Sequence, residues 1–292
     1  MVEQTSDPIT RRLRFEPHEI ALSSLGFATS LALLIANHRK AVLFEVLGVT
    51  VIYATVIALS RSRMNALGRK LCLVSSYAFV IWFYCAVARI TPALGSNLRD
   101  STLLHIDEII FKHTPSVYCE QFSFSWLTGL MSVCYLTYHV HLALAVVHAL
   151  RIRDASQEKL SAYLFIGFAV GFAGYLLVPA VGPARACPEL FDNPIPGGTF
   201  SRVIGEVIAW GSSGYDVFPS LHVMITCILL EHDWREVRRR FWIMLGPCIG
   251  LFISTIYLRY HYAVDIFAGF LLFLVLRQAI FKTQIVRIGW QQ

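Results

Sequence analysis

Eight stretches of mostly apolar residues, each about the length of a membrane-crossing helix and parted by short polar connections, decide what this chain can fold into. They run over about 20–37, 41–60, 70–90, 126–150, 160–181, 218–234, 241–258 and 262–281. A helix of about 20 apolar residues spans the hydrocarbon core of a bilayer. Composition points the same way. The chain is 56% hydrophobic and 15% charged, with a mean hydropathy of +0.58, against about 25% charged residues in soluble domains. So little polar surface could not cover so much apolar surface in water. The expected fold is all-α, a polytopic membrane helix bundle of about eight spans, and not the two soluble domains that 292 residues would otherwise suggest. The sixth stretch is the weakest, because it meets Glu231, His232 and Asp233 early.

Loop charges give an orientation. The N-terminal segment, loops 61–70, 151–159 and 235–240, and the tail from Arg277 hold more than twice the Lys and Arg of the opposite side. The positive-inside bias places that set in the cytoplasm. Both termini are then cytoplasmic, and the two long connections, 91–125 and 182–217, face outward. The organisation expected is a cytoplasmic segment over 1–19, three spans over 20–90, an extracytoplasmic connection over 91–125, a membrane core over 126–281 and a cytoplasmic tail over 282–292. Arg11, Arg12 and Arg14 precede the first apolar run as in a signal peptide, but no convincing small-x-small cleavage site follows, so a retained span is expected. The net charge of +6 is spread over short loops, which fits topology control and anionic headgroups. It argues against nucleic acid as a partner.

Three short stretches fall together on the outward side. Val178-Pro179-Ala180-Val181-Gly182-Pro183-Ala184-Arg185 ends the fifth span and leaves Arg185 at the lipid–water boundary. Alone it is equally a snorkelling span end. Phe218-Pro219-Ser220-Leu221-His222 opens the sixth span. A helix start offers unpaired N–H groups and a positive dipole end to an anion, with Ser220 as an added donor and His222 in the same turn. Arg259-Tyr260-His261-Tyr262-Ala263-Val264-Asp265 opens the last span. His261 and Asp265 are four apart and share a helix face. A carboxylate at that depth needs a partner. On one ring nitrogen it fixes the tautomer and leaves the other as a nucleophile. The plainer reading is an intramembrane His–Asp hydrogen bond.

Pro219-Ser220-x-His222, followed about 40 residues later by His261-x-x-x-Asp265, resembles the type 2 phosphatidic acid phosphatase superfamily over roughly residues 160–281. The resemblance implies a bundle with a six-helix core and a reaction needing no metal or other cofactor. It implies that His261 attacks phosphorus to form a phosphohistidine, that Asp265 orients it, that His222 protonates the leaving oxygen and that Ser220 holds the phosphoryl group. The departures are specific. The hydrolases carry Lys-x6-Arg-Pro in the first motif, where this chain has Tyr175 and Gly182 before Pro183, and an Arg in the third where Thr255 stands. The phosphoryl transition state spreads negative charge over its equatorial oxygens, so other cations must serve, and Arg185 and Arg259 are the nearest. Phe-Pro-Ser-Leu-His and His-Tyr-x-x-Asp are similar to the fungal inositol phosphorylceramide synthases, and more loosely to sphingomyelin synthases. That branch implies a phospholipid donor and a lipid hydroxyl acceptor. A lipid phosphate or polyprenyl (pyro)phosphate phosphatase is the rival within the same chemistry, and a transporter using the His–Asp pair for ion coupling is the rival outside it.

The remaining titratable residues have plainer roles. His141 and His148 share a face of the fourth span and could bind a metal only with ligands from another helix, so buried hydrogen bonding is expected. Glu45 and Arg89 are a possible ion pair. Cys119 and Cys187 lie in the two outward connections, where a disulfide can persist. Residues 103–112 alternate apolar and polar positions as a helix lying in the membrane interface would, either packing there or guiding a headgroup.

Overall fold

The computed structural model describes residues 15–62, 65–151 and 155–282. Most of the expected N-terminal cytoplasmic segment, with Arg11, Arg12 and Arg14, and the tail beyond 282 lie outside the described residues. Among the described residues all regular structure is helical. They form two compact units, one up to Gly95 and one from Ser96 onward.

The first unit holds α1 (Pro17–Ala36), α2 (Lys40–Ser62) and α3 (Ala66–Leu94). The start of α1 is set by Pro17 at the first helical position and by the Glu19 carboxylate, which accepts from the Glu16 N–H at 2.8 Å. The Asn65 side chain caps α3 by accepting from Gly68 N at 2.8 Å. Gly26 lets α1 approach α2 closely, since a Cβ there would overlap Thr50. Glu19 is fully buried and pairs with Arg61 at 2.9 Å, which satisfies a charge that lipid alone would not tolerate. The Glu45–Arg89 pair forms, at 2.5 Å.

The second unit holds α4 (Asp100–Phe111), α5 (Ser125–Arg151), α6 (Ala155–Leu177), α7 (Thr199–Gly211), α8 (Leu221–Glu236), α9 (Arg238–Tyr257) and α10 (Ala263–Lys282). Six helices among the described residues are long and apolar enough to cross a membrane: α1, α2, α3, α5, α6 and α9. The chain is therefore an integral membrane protein. The weak sixth stretch becomes α8, only 16 residues long, or about 24 Å at 1.5 Å per residue. Its buried positions, among them Leu221, Met224, Ile225 and Ile228, surround most of its circumference, so it is an interior helix. Small residues on its neighbours make room for it. Cβ atoms at Gly171 and Gly174 of α6 would collide with Leu221 and Pro219, and one at Gly269 of α10 would collide with the Ser220 carbonyl.

Helix α4 packs against the bundle, the first of the two roles its spacing allowed. Leu103 packs with Ala180, Val217 and Tyr262, and Asp100 and Asp107 are buried beside it. Ile109 and Ile110 stay exposed. Cys119 and Cys187 are free thiols, so the disulfide that the two connections permitted is not present. Burial pushes both thiols above the ordinary range.

His141 is buried at 0% exposure in α5, and its Nε2 lies 2.8 Å from Asp233 Oδ2 of α8. Asp233 also accepts from Arg240 of α9, at 2.7 Å to Nε and 2.5 Å to Nη2. The expected hydrogen-bonded histidine thus ties three helices together.

Candidate active site

Backbone contacts join the three sequence stretches. Ala184 N donates to Arg259 O at 3.0 Å, and Ser220 N donates to Asp265 O at 3.1 Å. Gly182 has φ +85, and a Cβ on it would overlap the Tyr260 carbonyl. That backbone region with ψ 161 is essentially closed to L side chains. Gly182→Ala is therefore expected to cost about 1–3 kcal/mol, seen as a lower melting temperature in detergent with a parallel loss of activity.

Each imidazole is placed by the end of a helix. Ser220 caps α8, its Oγ accepting from Val223 N at 3.4 Å, which puts His222 in the first turn. The chain leaves α9 through Arg259 in the left-handed region at φ 63. Tyr260 N and His261 N then both donate to Thr255 O at 3.1 Å. Thr255, where the hydrolases have an arginine, is buried and spends its hydroxyl on Phe252 O at 2.8 Å. Tyr175 is likewise buried, at 1% exposure. The cationic positions of the hydrolase motifs are filled by packing groups.

The two rings meet. His261 Nε2 lies 3.3 Å from His222 Nδ1, with ring planes at 76°. On the other side of His261, Nδ1 lies 3.4 Å from Asp265 Oδ2, within ion-pair range but not aligned as a hydrogen bond. Such contacts tighten when substrate enters. Asp265 Oδ2 also accepts from Tyr262 N at 2.8 Å, so the carboxylate is anchored to the turn that carries His261. Tyr138 and Tyr135 of α5 wall His222, with ring centroids 4.6 and 4.8 Å away, and Tyr135 also touches Tyr260 at 5.1 Å. A phosphorus atom attacked by one nitrogen with its leaving oxygen beside the other needs the two rings to separate.

The two expected cations are placed differently. Arg185 is exposed and lies near Tyr260, where it opposes the upward push that burial gives the phenol. Arg259 is turned into the 186–193 connection. Its Nη1 donates to Asn193 O at 3.0 Å, its Nη2 lies 3.8 Å from Glu120 Oε2, and it stacks over Phe191 at 4.0 Å. Burial holds its pKa below the usual value, with Glu120 opposing. Arg185 is thus the more accessible of the two to a headgroup.

Sequence reasoning missed Asp100 and Asp107. Asp100 accepts from Val181 N at 3.1 Å, from Gly182 N at 2.9 Å and from Tyr262 OH at 3.0 Å. Asp107 accepts from Ala263 N at 2.7 Å and from Val264 N at 2.8 Å. The signal was an acid at each end of an Asp100–Leu103–Asp107 stripe, in the apolar face and not the polar one. Tyr135, Tyr138 and His139 gave a similar signal, a polar–aromatic cluster at three- and four-residue spacing within a span.

No curated protein and no solved structure matches the chain. A family profile described as the PAP2 superfamily matches residues 101–278, which include all of α4 except its first residue, Asp100, together with both histidines and Asp265. Members of that superfamily are phosphatases and phosphotransferases acting on phosphate esters. With that match over more than half of its length, and with two imidazoles and a carboxylate at the joined helix starts, this chain belongs to the PAP2 superfamily and is a membrane enzyme of the lipid phosphatase and phosphotransferase type.

Proposed function

We propose that the protein transfers a phospho-headgroup from a phospholipid donor to a lipid hydroxyl, in the manner of the inositol phosphorylceramide synthases, on the extracytoplasmic side of its membrane. The observation that carries the reading is the 3.3 Å approach of His261 Nε2 to His222 Nδ1. His261 Nε2 attacks phosphorus, forming a P–N bond as the P–O bond to the donor's diacylglycerol breaks. His222 gives its proton to that departing oxygen. The acceptor hydroxyl then loses its proton to His222 and attacks phosphorus, and the P–N bond breaks to restore His261. Asp265 steadies the positive imidazole that forms. Ser220 adds a hydroxyl, and Arg185 adds charge at the mouth of the site. Arg259 would join only by leaving Glu120.

Tyr175, Gly182 and Thr255 in place of motif cations support a diester donor. A phosphodiester carries one negative charge less than a phosphomonoester, so it asks less of the site electrostatically. The test is to incubate the full-length protein with phosphatidylinositol and a ceramide acceptor, following lipid products and free phosphate. A new phosphorylated lipid formed in step with diacylglycerol release is expected. Release of water-soluble phosphate esters with no new lipid would instead establish hydrolysis. Unchanged turnover in the His222→Ala and His261→Ala variants would sink the phosphorus chemistry altogether.

A further inference from the structure

We propose that Asp107 and Asp100 are positioning residues, through which α4 clamps the turn that presents His261. They are seven apart and so lie on one helix face, both buried, at 1% and 4% exposure. Asp107 takes the N–H groups of Ala263 and Val264, the first two residues of α10. A helix start leaves these donors without intrahelical partners. Asp265 takes the preceding one, from Tyr262. Three successive N–H groups at the start of α10 therefore end on carboxylates, two of them supplied by a helix more than 150 residues earlier in the chain. Asp100 holds the same turn from its other side. It accepts the Tyr262 hydroxyl and, from the first motif, the N–H groups of Val181 and Gly182. Gly182 is the residue packed against the Tyr260 carbonyl. The Arg99 N–H adds a bond to Pro179 O at 2.8 Å.

One helix thus grips the residues that follow His261, two through their backbone N–H groups and Tyr262 through its hydroxyl, and reaches the preceding Tyr260 only through Gly182. It also settles which helix start can serve an anion. The α10 donors are occupied by Asp107, whereas Leu221 and His222 at the start of α8 have no intrahelical acceptor. The phosphoryl group is then received at α8 and attacked from the α10 turn.

The inference rests on the phosphoryl-transfer reading for its kinetic part, so the test has a readout that does not. In full-length protein in detergent, amide hydrogen exchange of the peptide spanning 258–268 is expected to speed up in Asp107→Ala, with exchange in α5 and α9 unchanged. Turnover of the lipid substrate is expected to fall about 100-fold, as a displacement near 1 Å would produce, with KM within about threefold. Asp107→Asn keeps one acceptor oxygen and is expected to recover at least about tenfold of that loss. Tyr262→Phe removes only the hydroxyl donated to Asp100 and is expected to lower kcat by roughly three- to tenfold with an unchanged melting temperature. It keeps the test decisive if Asp107→Ala does not fold. Unchanged exchange in the turn, wild-type kcat in both Asp107→Ala and Tyr262→Phe, or an Asn variant no better than Ala would each overturn the clamp. Faster exchange in a protein whose wild type turns over no phosphate ester would support the clamp and refute the reaction.

Discussion

Replacing His261 by Gln is expected to lower turnover by on the order of 10⁴-fold or more, the scale seen when a covalent nucleophile is removed from a working constellation. Glutamine is close in volume and can keep a hydrogen bond to His222, so the melting temperature should stay within a few degrees. The loss then reports chemistry. The contrast with His222 sharpens the assignment. A general acid contributes about 10²–10⁴-fold, and its share of the first step shrinks when the leaving group is already a weak base. His222→Gln should therefore recover much of the first step with an aryl phosphodiester, whereas His261→Gln should not. Equal penalties for the two variants on lipid and aryl substrates would show that they do not divide nucleophile and acid between them. The check is a kcat series on the two substrate classes with thermal melts alongside.

The largest stability effect is expected far from that site. Asp233 lies eleven residues after His222 in α8, about 16 Å along the helix axis. It is fully buried, and it receives a bidentate Arg240 and His141 together. Asp233→Ala would leave the Arg240 guanidinium, 14% exposed, without its counter-charge, and the buried His141 without its acceptor. Breaking a buried pair from one side costs about 3–5 kcal/mol, more than enough to separate α5, α8 and α9 at moderate temperature. Asp233→Asn keeps an acceptor for one partner and should lose less. Protein that remains folded should keep its kcat, because nothing in this cluster reaches the imidazoles. A melting temperature within two or three degrees of wild type for Asp233→Ala would show that the cluster is not what ties these helices. A fall in kcat at an unchanged melting temperature would show that it serves the reaction.

The helices could be read along the chain because lipid imposes a local rule. Each span must satisfy its own backbone and present an apolar surface, so hydropathy within one segment is enough to find it. The described helices accordingly start and stop within a few residues of the expected spans, from α1 at Pro17–Ala36 to α10 at Ala263–Lys282. The weakness of the sixth stretch was also legible, as Glu231, His232 and Asp233 forecast the short interior helix α8. The pairing of His261 with Asp265 followed from helical spacing, although its 3.4 Å separation and poor alignment did not.

Other features depended on contacts between distant residues. Arg259 sits in the third motif and reads as a phosphate ligand, yet Glu120 and Asn193, both more than 60 residues earlier in the chain, turn its guanidinium aside. Asp107 reads as one polar residue of an amphipathic helix, and its role depends on N–H groups more than 150 residues downstream.

Hydropathy and helical period are properties of neighbours in sequence, so the order of apolar runs was sufficient to establish a membrane bundle and to bring out the His, Ser and Asp residues at its helix starts. Which donors meet which acceptors is a property of folded space. Only packing brought His222 to within 3.3 Å of His261, set α4 against the residues that follow His261 and drew Arg259 toward Glu120. A hydrogen bond is lost over a few tenths of an ångström and a poor angle, a precision that no pattern of residue types along a chain encodes.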